Sequence, residues 1–247
     1  MSKFIDRLKQ VSQPTPAPMG FRRSTTESNR PRIQLVAHLE NPPKSPGDRF
    51  AAADAVILSS AGTAFDMAWG MWLRKGEAAE AKQAVEAGAD FVVLPAGGPV
   101  LAADKETGRV LTVETSIADM MLRAVNDLPI DAVLLEDTSA GQAGQVGAVT
   151  WRTLMHFRRF AASLTRPVLV SVPVTATAEE LQLVWDTGVS GIVAHISSPA
   201  DVVSLAELRT RVDGLQYPAR RKEKLSPTVP QVAESHDEEP EEDEDDD

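Results

Sequence analysis

Short apolar runs alternate with amphipathic segments along most of the chain, and the pattern is clearest from Trp69 onward. The run from Trp69 to Leu73 predicts a strand. Gly76 and Glu77 then break the run and begin a helix, whose acidic start suits the positive end of the helix dipole. Gly88 lies just past that helix, where the backbone often adopts a left-handed conformation that glycine, with no Cβ, takes up most easily. The run from Phe91 to Leu94 is continuously apolar, as is typical of a parallel strand buried on both faces. Strand, helix and strand in this order predict a right-handed βαβ unit. The buried face of the helix is expected to carry Ala78, Ala81, Ala84 and Val85.

The same pattern predicts eight strands in the body of the chain. Short parallel strands joined by crossovers favour a compact closed (β/α)8 barrel of the TIM type, an α/β fold. The connections after the second and fourth strands are short for full helices, so an open doubly wound sheet is the alternative. The predicted strands are Ile33 to His38, Ala55 to Ser59, Trp69 to Leu73, Phe91 to Leu94, Val110 to Glu114, Ala132 to Glu136, Val168 to Val172 and Gly191 to Ile196.

Helix start signals lie between these runs. Thr177 with Glu180 three residues later is a capping box, and Pro199 is suited to the first turn of the last helix. Ser116 is expected to cap a helix that runs through Asn126. A short helix is also predicted from Asp48 to Ala53.

The two ends of the chain differ from the body, so we divide it into residues 1–31, 32–214 and 215–247. Residues 2–12 predict an amphipathic helix that docks on the body or covers the barrel floor, or else anchors the protein to a partner or membrane surface. A Pro-rich extended linker follows from Gln13 to Pro18. The C-terminal segment is polar and is predicted to be disordered. The apolar face of the first helix comprises Phe4, Ile5, Leu8 and Val11.

Charge is unevenly distributed, although the net charge is −11. Residues 234–247 carry eleven acids and no Lys or Arg, whereas residues 33–206 carry twelve bases and twenty acids. We therefore expect no nucleic-acid binding by the barrel. The acidic tail either stays solvated or binds a basic protein partner or the basic cluster of its own chain, which is Arg220, Arg221, Lys222 and Lys224.

Cysteine is absent, which rules out disulfides and thiolate metal sites. No run of about 18 apolar residues is present, so no transmembrane segment is expected. The default prediction is a soluble cytoplasmic protein.

The segments EAKQAVEAGADFVVLP (80–95) and RPVLVSVPVTATAEELQLVWDTGVSGIVAHI (166–196) resemble the aldolase-type TIM barrels. More narrowly, they resemble the IMP dehydrogenase and nitronate monooxygenase-like barrels that bind phosphate or FMN. The resemblance rests on the phrase at Glu86 to Asp90 and its weaker echo at Asp186 to Ser190. It implies a glycine-rich phosphate grip after the seventh and eighth strands, but this chain has Pro173-Val174-Thr175 and Ser197-Ser198-Pro199 there. The cysteine of the dehydrogenase branch is also absent.

Polar residues follow the strand ends, where TIM barrels carry their active sites. Alternation along each strand would bring His38, His195, Glu114 and Glu136 together at the barrel mouth. Two imidazoles and two carboxylates suit either a divalent metal or acid–base catalysis. Glu136 is the first choice for the base, with Asp137 as its neighbour. The candidate catalytic residues are therefore Glu136, Asp137, Glu114 and His195, and the candidate metal ligands are His38, His195, Glu114 and Glu136.

Substrate contacts are assigned to other strand ends. Arg74 or Lys75 would hold an anion. Gly97 and Gly98, the only glycine pair at a strand end, would either approach a ligand or form a turn with positive φ. The Gly-rich stretch from Ser139 to Gly147 is either a lid or a plain loop. The candidate substrate-binding residues are Arg74, Lys75, Gly97, Gly98 and Ser197.

The sequence leaves two functions open. The first is an enzyme that acts on a small anionic, phosphorylated metabolite at the barrel mouth. FMN or a divalent metal is the cofactor to consider, although no specific motif supports either. The second is a degenerate, non-catalytic barrel that serves as a scaffold through its N-terminal helix and acidic tail.

Overall fold

A computed structural model of the chain describes residues 2–13, 32–42, 47–60, 65–74, 76–100, 106–136 and 147–218. Eight parallel strands among these residues form a closed barrel in sequence order, with β8 pairing with β1. The predicted closed barrel is therefore confirmed, and the open-sheet alternative is wrong. The strands are β1 Gln34–Leu39, β2 Ala55–Leu58, β3 Trp69–Trp72, β4 Phe91–Leu94, β5 Gly108–Glu114, β6 Ala132–Glu136, β7 Val168–Val172 and β8 Gly191–Ile196.

All but the first of the described helices cover the outside of the barrel. The described helices are α1 Lys3–Ser12, α2 Ala78–Glu86, α3 Asp119–Ala124, α4 Trp151–Ser163, α5 Ala178–Asp186 and α6 Pro199–Asp213. The capping box of Thr177 and Glu180 is present as predicted, and Pro199 lies in the first turn of α6. Gly88 has a φ of 90°, which confirms the predicted left-handed residue after α2.

Two predicted helices differ from those observed. The segment from Asp48 to Ala53 contains a single 3-10 turn at Gly47–Phe50. Ser116 does not cap α3, because its hydroxyl donates to Glu114 Oε2 at 3.0 Å and the helix begins three residues later. The side chain of Ser116 therefore serves the strand end rather than the helix.

The protein has two apolar layers: one fills the interior of the barrel, and the other lies between the outer face of the strands and the helices. Inward-facing residues fill the interior up to the carboxyl ends of the strands, and the outward-facing residues pack against α2 to α6. Trp69 belongs to the outer layer and is 4% exposed, as predicted for a core residue. The interior layer includes Val36, Ile57, Phe91, Val93, Val110, Leu134, Leu169 and Val193.

Helix α1 closes the amino-terminal end of the barrel. Its four apolar residues are at most 2% exposed, and Phe4 packs on Phe91 with ring centroids 4.7 Å apart. The carboxylate of Asp90, just before β4, accepts hydrogen bonds from Ser2 Oγ and from the backbone N–H groups of Lys3 and Phe4. The predicted floor helix is confirmed, and its apolar face is taken up by the barrel.

Several predictions fall outside the described residues. These are Lys75, Asp137, residues 139–146 of the Gly-rich stretch, the linker from residue 14 and the tail from residue 219. Among the helices that the structure does describe, none combines the length and the apolar character that a membrane crossing requires.

Candidate functional site

A band of polar side chains lies at the carboxyl ends of the strands, directly above the apolar interior. It follows six consecutive strands, from β5 through β8 to β1 and β2, and we call it the polar arc. Strand register sets its order, since His38 is the register partner of His195, and Glu114 is the partner of Glu136. The polar arc comprises Glu114, Glu136, Ser171, His195, His38 and Ser59.

The two histidines and two serines form a continuous hydrogen-bonded chain across four strands. His38 Nδ1 lies 3.0 Å from His195 Nδ1. The other nitrogen of His38, Nε2, lies 2.8 Å from Ser59 Oγ, and His195 Nε2 lies 3.3 Å from Ser171 Oγ. Every ring nitrogen of the pair therefore has a partner, and each ring is fixed in orientation.

Both imidazoles are neutral at neutral pH. Burial, followed by the nearby His195 and Arg74, lowers the pKa of His38 to about 3, and only 6% of this residue is exposed. Burial also lowers the pKa of His195, although Glu40 opposes the shift. A neutral imidazole offers one N–H donor and one acceptor nitrogen, which is what the chain of contacts requires.

The carboxylate pair occupies the other end of the polar arc. Glu136 is half-buried, and burial together with the adjacent Glu114 raises its pKa. Glu114 is exposed and accepts a hydrogen bond from Ser116 Oγ. Two carboxylates side by side disfavour double ionisation, so Glu136 retains its proton to higher pH than an isolated glutamate.

Arg159 of α4 holds the segment that follows Glu114. Its guanidinium donates to Asp119 Oδ1 at 2.6 Å, to the carbonyl of Thr115 at 3.3 Å and to the carbonyl of Ile117. These contacts fix the chain between β5 and α3, and they keep the exposed glutamate at the mouth.

Trp72 and Arg74 form the wall beside the histidines. The Trp72 ring stacks on His38 with centroids 4.8 Å apart and planes at 28°. Trp72 is half-buried and lines the mouth, unlike Trp69 in the core. Arg74 is exposed two residues beyond, and its charge contributes to the lowered pKa of His38. The predicted anion contact therefore lies beside the imidazole pair.

The glycine pair forms a turn of a different kind from the one expected. Gly98 N–H donates to the carbonyl of Pro95 at 3.0 Å, but neither Gly97 nor Gly98 has positive φ. The prediction of a positive-φ turn at this pair is wrong. A Cβ on Gly98 would lie 3.0 Å from Pro95 Cγ and 3.5 Å from Gly76 Cα, so close packing between two loops accounts for this glycine.

A carboxylate of the chain itself occupies the amino end of α6, where the resemblance implies a phosphate. Asp201 Oδ2 accepts the backbone N–H groups of Ser197 at 3.0 Å and Ser198 at 2.8 Å. Burial alone would raise the pKa of Asp201, but these hydrogen bonds outweigh burial and lower it. Helix amino termini bind anions through free N–H groups, and these two are already used. A phosphate at this position, such as that of FMN, would therefore have to displace the Asp201 carboxylate.

The predicted metal ligands separate into two pairs. The imidazoles lie on β1 and β8, whereas the carboxylates lie on β5 and β6, and β7 separates the two pairs. Within the described part of the chain, no three His, Asp or Glu side chains come together as a metal-binding group. The metal assignment stays a prediction.

Two members of the polar arc were not proposed as site residues from the sequence. Ser59 is the last residue of the predicted second strand, and Ser171 lies inside the apolar run VLVSV of β7. The available signal was alternation, because Ser171 shares its face with Leu169, which points into the barrel.

Glu136 directly follows Leu135, the register partner of Val170, so Glu136 and Ser171 hold the next register position of β6 and β7.

Several solved structures share the fold at low sequence identity. Thiamine phosphate pyrophosphorylase from Pyrococcus furiosus matches with a TM-score of 0.53 and 16% identity, over 73% of this chain and 96% of that chain. KGPDC from Streptococcus mutans matches with a TM-score of 0.56 and 10% identity, over 74% and 98%. A mutant tryptophan synthase alpha-subunit from Pyrococcus furiosus matches with a TM-score of 0.55 and 13% identity, over 74% and 98%.

No protein-family model and no curated protein sequence matches the chain. At the identities above, structural likeness reports the fold and not the activity. The narrower resemblance to the IMP dehydrogenase and nitronate monooxygenase-like barrels stays a prediction. The structural matches show the fold of the chain, which is a closed (β/α)8 barrel of the TIM type.

Proposed function

We propose that the protein is an enzyme that binds a small anionic metabolite at the carboxyl end of the barrel and transfers a proton to or from it. The observation that carries this proposal is the polar arc. It places neutral imidazoles and a carboxyl group of raised pKa on one rim, above an interior that is otherwise apolar. Groups whose environments push their pKa values in opposite directions are typical of acid–base sites.

Glu136 is the proposed general acid or base. Its raised pKa lies nearer to neutral pH than that of a free glutamate, which favours proton exchange in both directions. Glu114 sustains the shift from the neighbouring strand. Asp137 follows Glu136 in the sequence, and its assignment as a catalytic residue stays a prediction.

Arg74 is the proposed anion contact. The carboxylate of Asp201 already accepts the N–H groups at the amino end of α6. The anionic group of the substrate therefore binds on the opposite side of the mouth, near β3 and β4. Arg74, Gly97 and Gly98 lie there, and Lys75 is assigned to the same place. One of the structural neighbours is a thiamine phosphate pyrophosphorylase, so phosphorylated metabolites form the class to test first.

The first test is ligand binding by the full-length protein. Thermal shifts are measured against sugar phosphates, phosphate-free carboxylic acids, nucleotides, FMN and divalent metals. A compound at a hundredfold excess over its Kd stabilises the folded state by about 2.7 kcal/mol. If every class leaves the melting temperature unchanged, the proposed substrate site is wrong.

The second test is proton transfer itself. Compounds that bind are incubated in D2O, and incorporation of deuterium is followed by proton NMR. We expect Glu136→Gln to slow incorporation by about 10²–10⁴-fold, because general acid–base groups contribute on that order. Glu86→Gln is the matched control, since Glu86 lies in the last turn of α2 and is exposed. Equal incorporation by wild type and Glu136→Gln would contradict the assignment.

The scaffold function is the second candidate, and one observation favours it. Four large apolar side chains are 60–83% exposed on the adjacent helices α3 and α4, namely Met120, Met121, Trp151 and Met155. Helix α1 does not serve this role through its apolar face, which is buried. A negative ligand screen with folded protein would favour this candidate. The basic partner for the acidic tail and the cytoplasmic location both stay predictions.

A further inference from the structure

The hydrogen-bonded chain from Ser59 to Ser171 admits two arrangements of its protons. In the first, Ser171 donates to His195 Nε2, His195 Nδ1–H donates to His38 Nδ1, and His38 Nε2–H donates to Ser59. In the second, every donor and acceptor is exchanged: Ser59 donates to His38 Nε2, and His195 Nε2–H donates to Ser171. The three contacts of 2.8, 3.0 and 3.3 Å serve both arrangements.

The two rings are coupled because they meet through the same kind of atom. The Nδ1 to Nδ1 contact needs one proton, so when one Nδ1 carries it the other cannot. Each neutral ring carries one N–H in total. The ring that has its proton on Nδ1 therefore has a bare Nε2, and the other ring has its proton on Nε2. The tautomer of His195 on β8 is therefore set by His38 on β1, and through it by Ser59 on β2.

We propose that Ser59, His38, His195 and Ser171 form a proton relay at the barrel mouth that switches between these two arrangements. Ser59 and His38 are positioning residues, since they act on His195 without needing to touch a substrate. Ser171, beside Glu136 in register, is the end of the relay nearest the proposed acid–base group. The use of the relay in catalysis rests on the proposed function, whereas the switching itself does not.

One pass of the relay moves a single proton and leaves both imidazoles neutral. The Ser171 O–H bond breaks and its hydrogen bonds to His195 Nε2, while the His195 Nδ1 hydrogen passes to His38 Nδ1. The His38 Nε2 hydrogen passes to Ser59 Oγ, whose own hydrogen leaves to water. Ser171 Oγ is refilled by a proton from the substrate, or from water in the ligand-free protein, so atoms and charge balance without any redox step.

The relay predicts that the two serine variants fix opposite tautomers. A buried N–H without a partner is rarer than a buried acceptor without one. In Ser59→Ala, His38 should therefore leave Nε2 bare and carry its proton on Nδ1, which makes His195 the Nε2–H form. In Ser171→Ala, His195 should leave Nε2 bare and carry its proton on Nδ1, which makes His38 the Nε2–H form.

The experiment is nitrogen NMR of the histidine rings in the ligand-free, full-length protein. We expect Ser59→Ala and Ser171→Ala to give opposite tautomers at His195, although Ser59 has no contact with that ring in the described hydrogen bonds. Wild-type shifts should lie between those of the two variants, because the protons exchange. Ser59→Thr, which keeps the hydroxyl, and Ser12→Ala on α1 should both match wild type.

Each other outcome overturns the relay. The same His195 tautomer in both serine variants would show that the rings are not coupled. Wild-type shifts that coincide with one variant would show a fixed network without switching. Because no ligand takes part, failure of the relay is distinct from failure of the proposed enzyme function, which the deuterium experiment tests.

Discussion

Acidification should destabilise the protein through His38. The folded state holds this ring neutral, with a pKa of about 3, whereas the unfolded chain takes up a proton near the ordinary value of 6.5. Above pH 6.5 both states are neutral, and the full stability is present. As the pH falls below 6.5 only the unfolded state gains a proton, so stability is lost progressively until the folded pKa is reached.

The size of the effect follows from the two pKa values. Each pKa unit corresponds to about 1.36 kcal/mol, so lowering the pH from about 8 to about 5 should remove about 2 kcal/mol from the free energy of unfolding. Only 6% of His38 is exposed, so solvent screening reduces this little. For a chain of this length, about 2 kcal/mol corresponds to a fall of about 4–8 °C in Tm.

The assay compares wild type with His38→Gln by denaturant unfolding at the two pH values. Other groups titrate in both proteins, so the difference between them isolates His38. We expect wild type to lose about 2 kcal/mol more than the variant. NMR titration of the His38 ring in the folded protein supplies an independent readout. A midpoint near 6.5, or equal acid sensitivity in both proteins, would refute the reasoning.

Three further predictions concern the floor, the carboxylate pair and the α6 cap. Phe4→Ala should lower the free energy of unfolding by about 3–5 kcal/mol, because it leaves a cavity at the barrel floor. Arg7→Ala, on the exposed face of α1, should change it by less than about 0.5 kcal/mol. Equal losses in the two variants would mean that α1 is not docked. Glu114→Gln should lower the pKa of Glu136, since it removes the adjacent like charge, and an unmoved carboxyl titration in carbon NMR would exclude that cause. Asp201→Ala should cost about 0.3–1 kcal/mol near pH 7, because it removes the N3 carboxylate of the capping box. That cost should shrink as the pH falls below 3.8, because a carboxylate with a lowered pKa stabilises the fold only while ionised; a constant cost measured by denaturation down to about pH 3 would contradict this.

Local patterns determined the secondary structure of the barrel well. Continuous apolar runs bounded by glycine and polar residues predicted β4, β6, β7 and β8 with the bounds observed. These strands are buried on both faces, so hydrophobicity alone marks their ends. The capping box at Thr177 was equally readable, since its hydrogen bonds join residues three apart in sequence.

Contacts between distant residues decided where local patterns failed. The predicted fifth strand begins at Val110, but β5 begins at Gly108, and a Cβ there would lie 2.5 Å from Ile5 Cγ1 of the floor helix. Ser116 looked like a helix cap, but its hydroxyl serves Glu114. At Gly108 the contact is set by tertiary packing, which the local pattern does not contain, whereas Ser116 is held by a residue only two positions earlier.

The candidate site divides in the same way. Alternation along single strands determined that His38, His195, Glu114 and Glu136 face the barrel mouth. Only closure of the barrel decided which of them meet, because pairing of β8 with β1 joins residues 157 positions apart, whereas the carboxylates pair with each other on β5 and β6. The same closure brought Ser171 and Ser59 to the two ends of the imidazole pair, since hydrogen bonds between strands depend on register and not on sequence spacing.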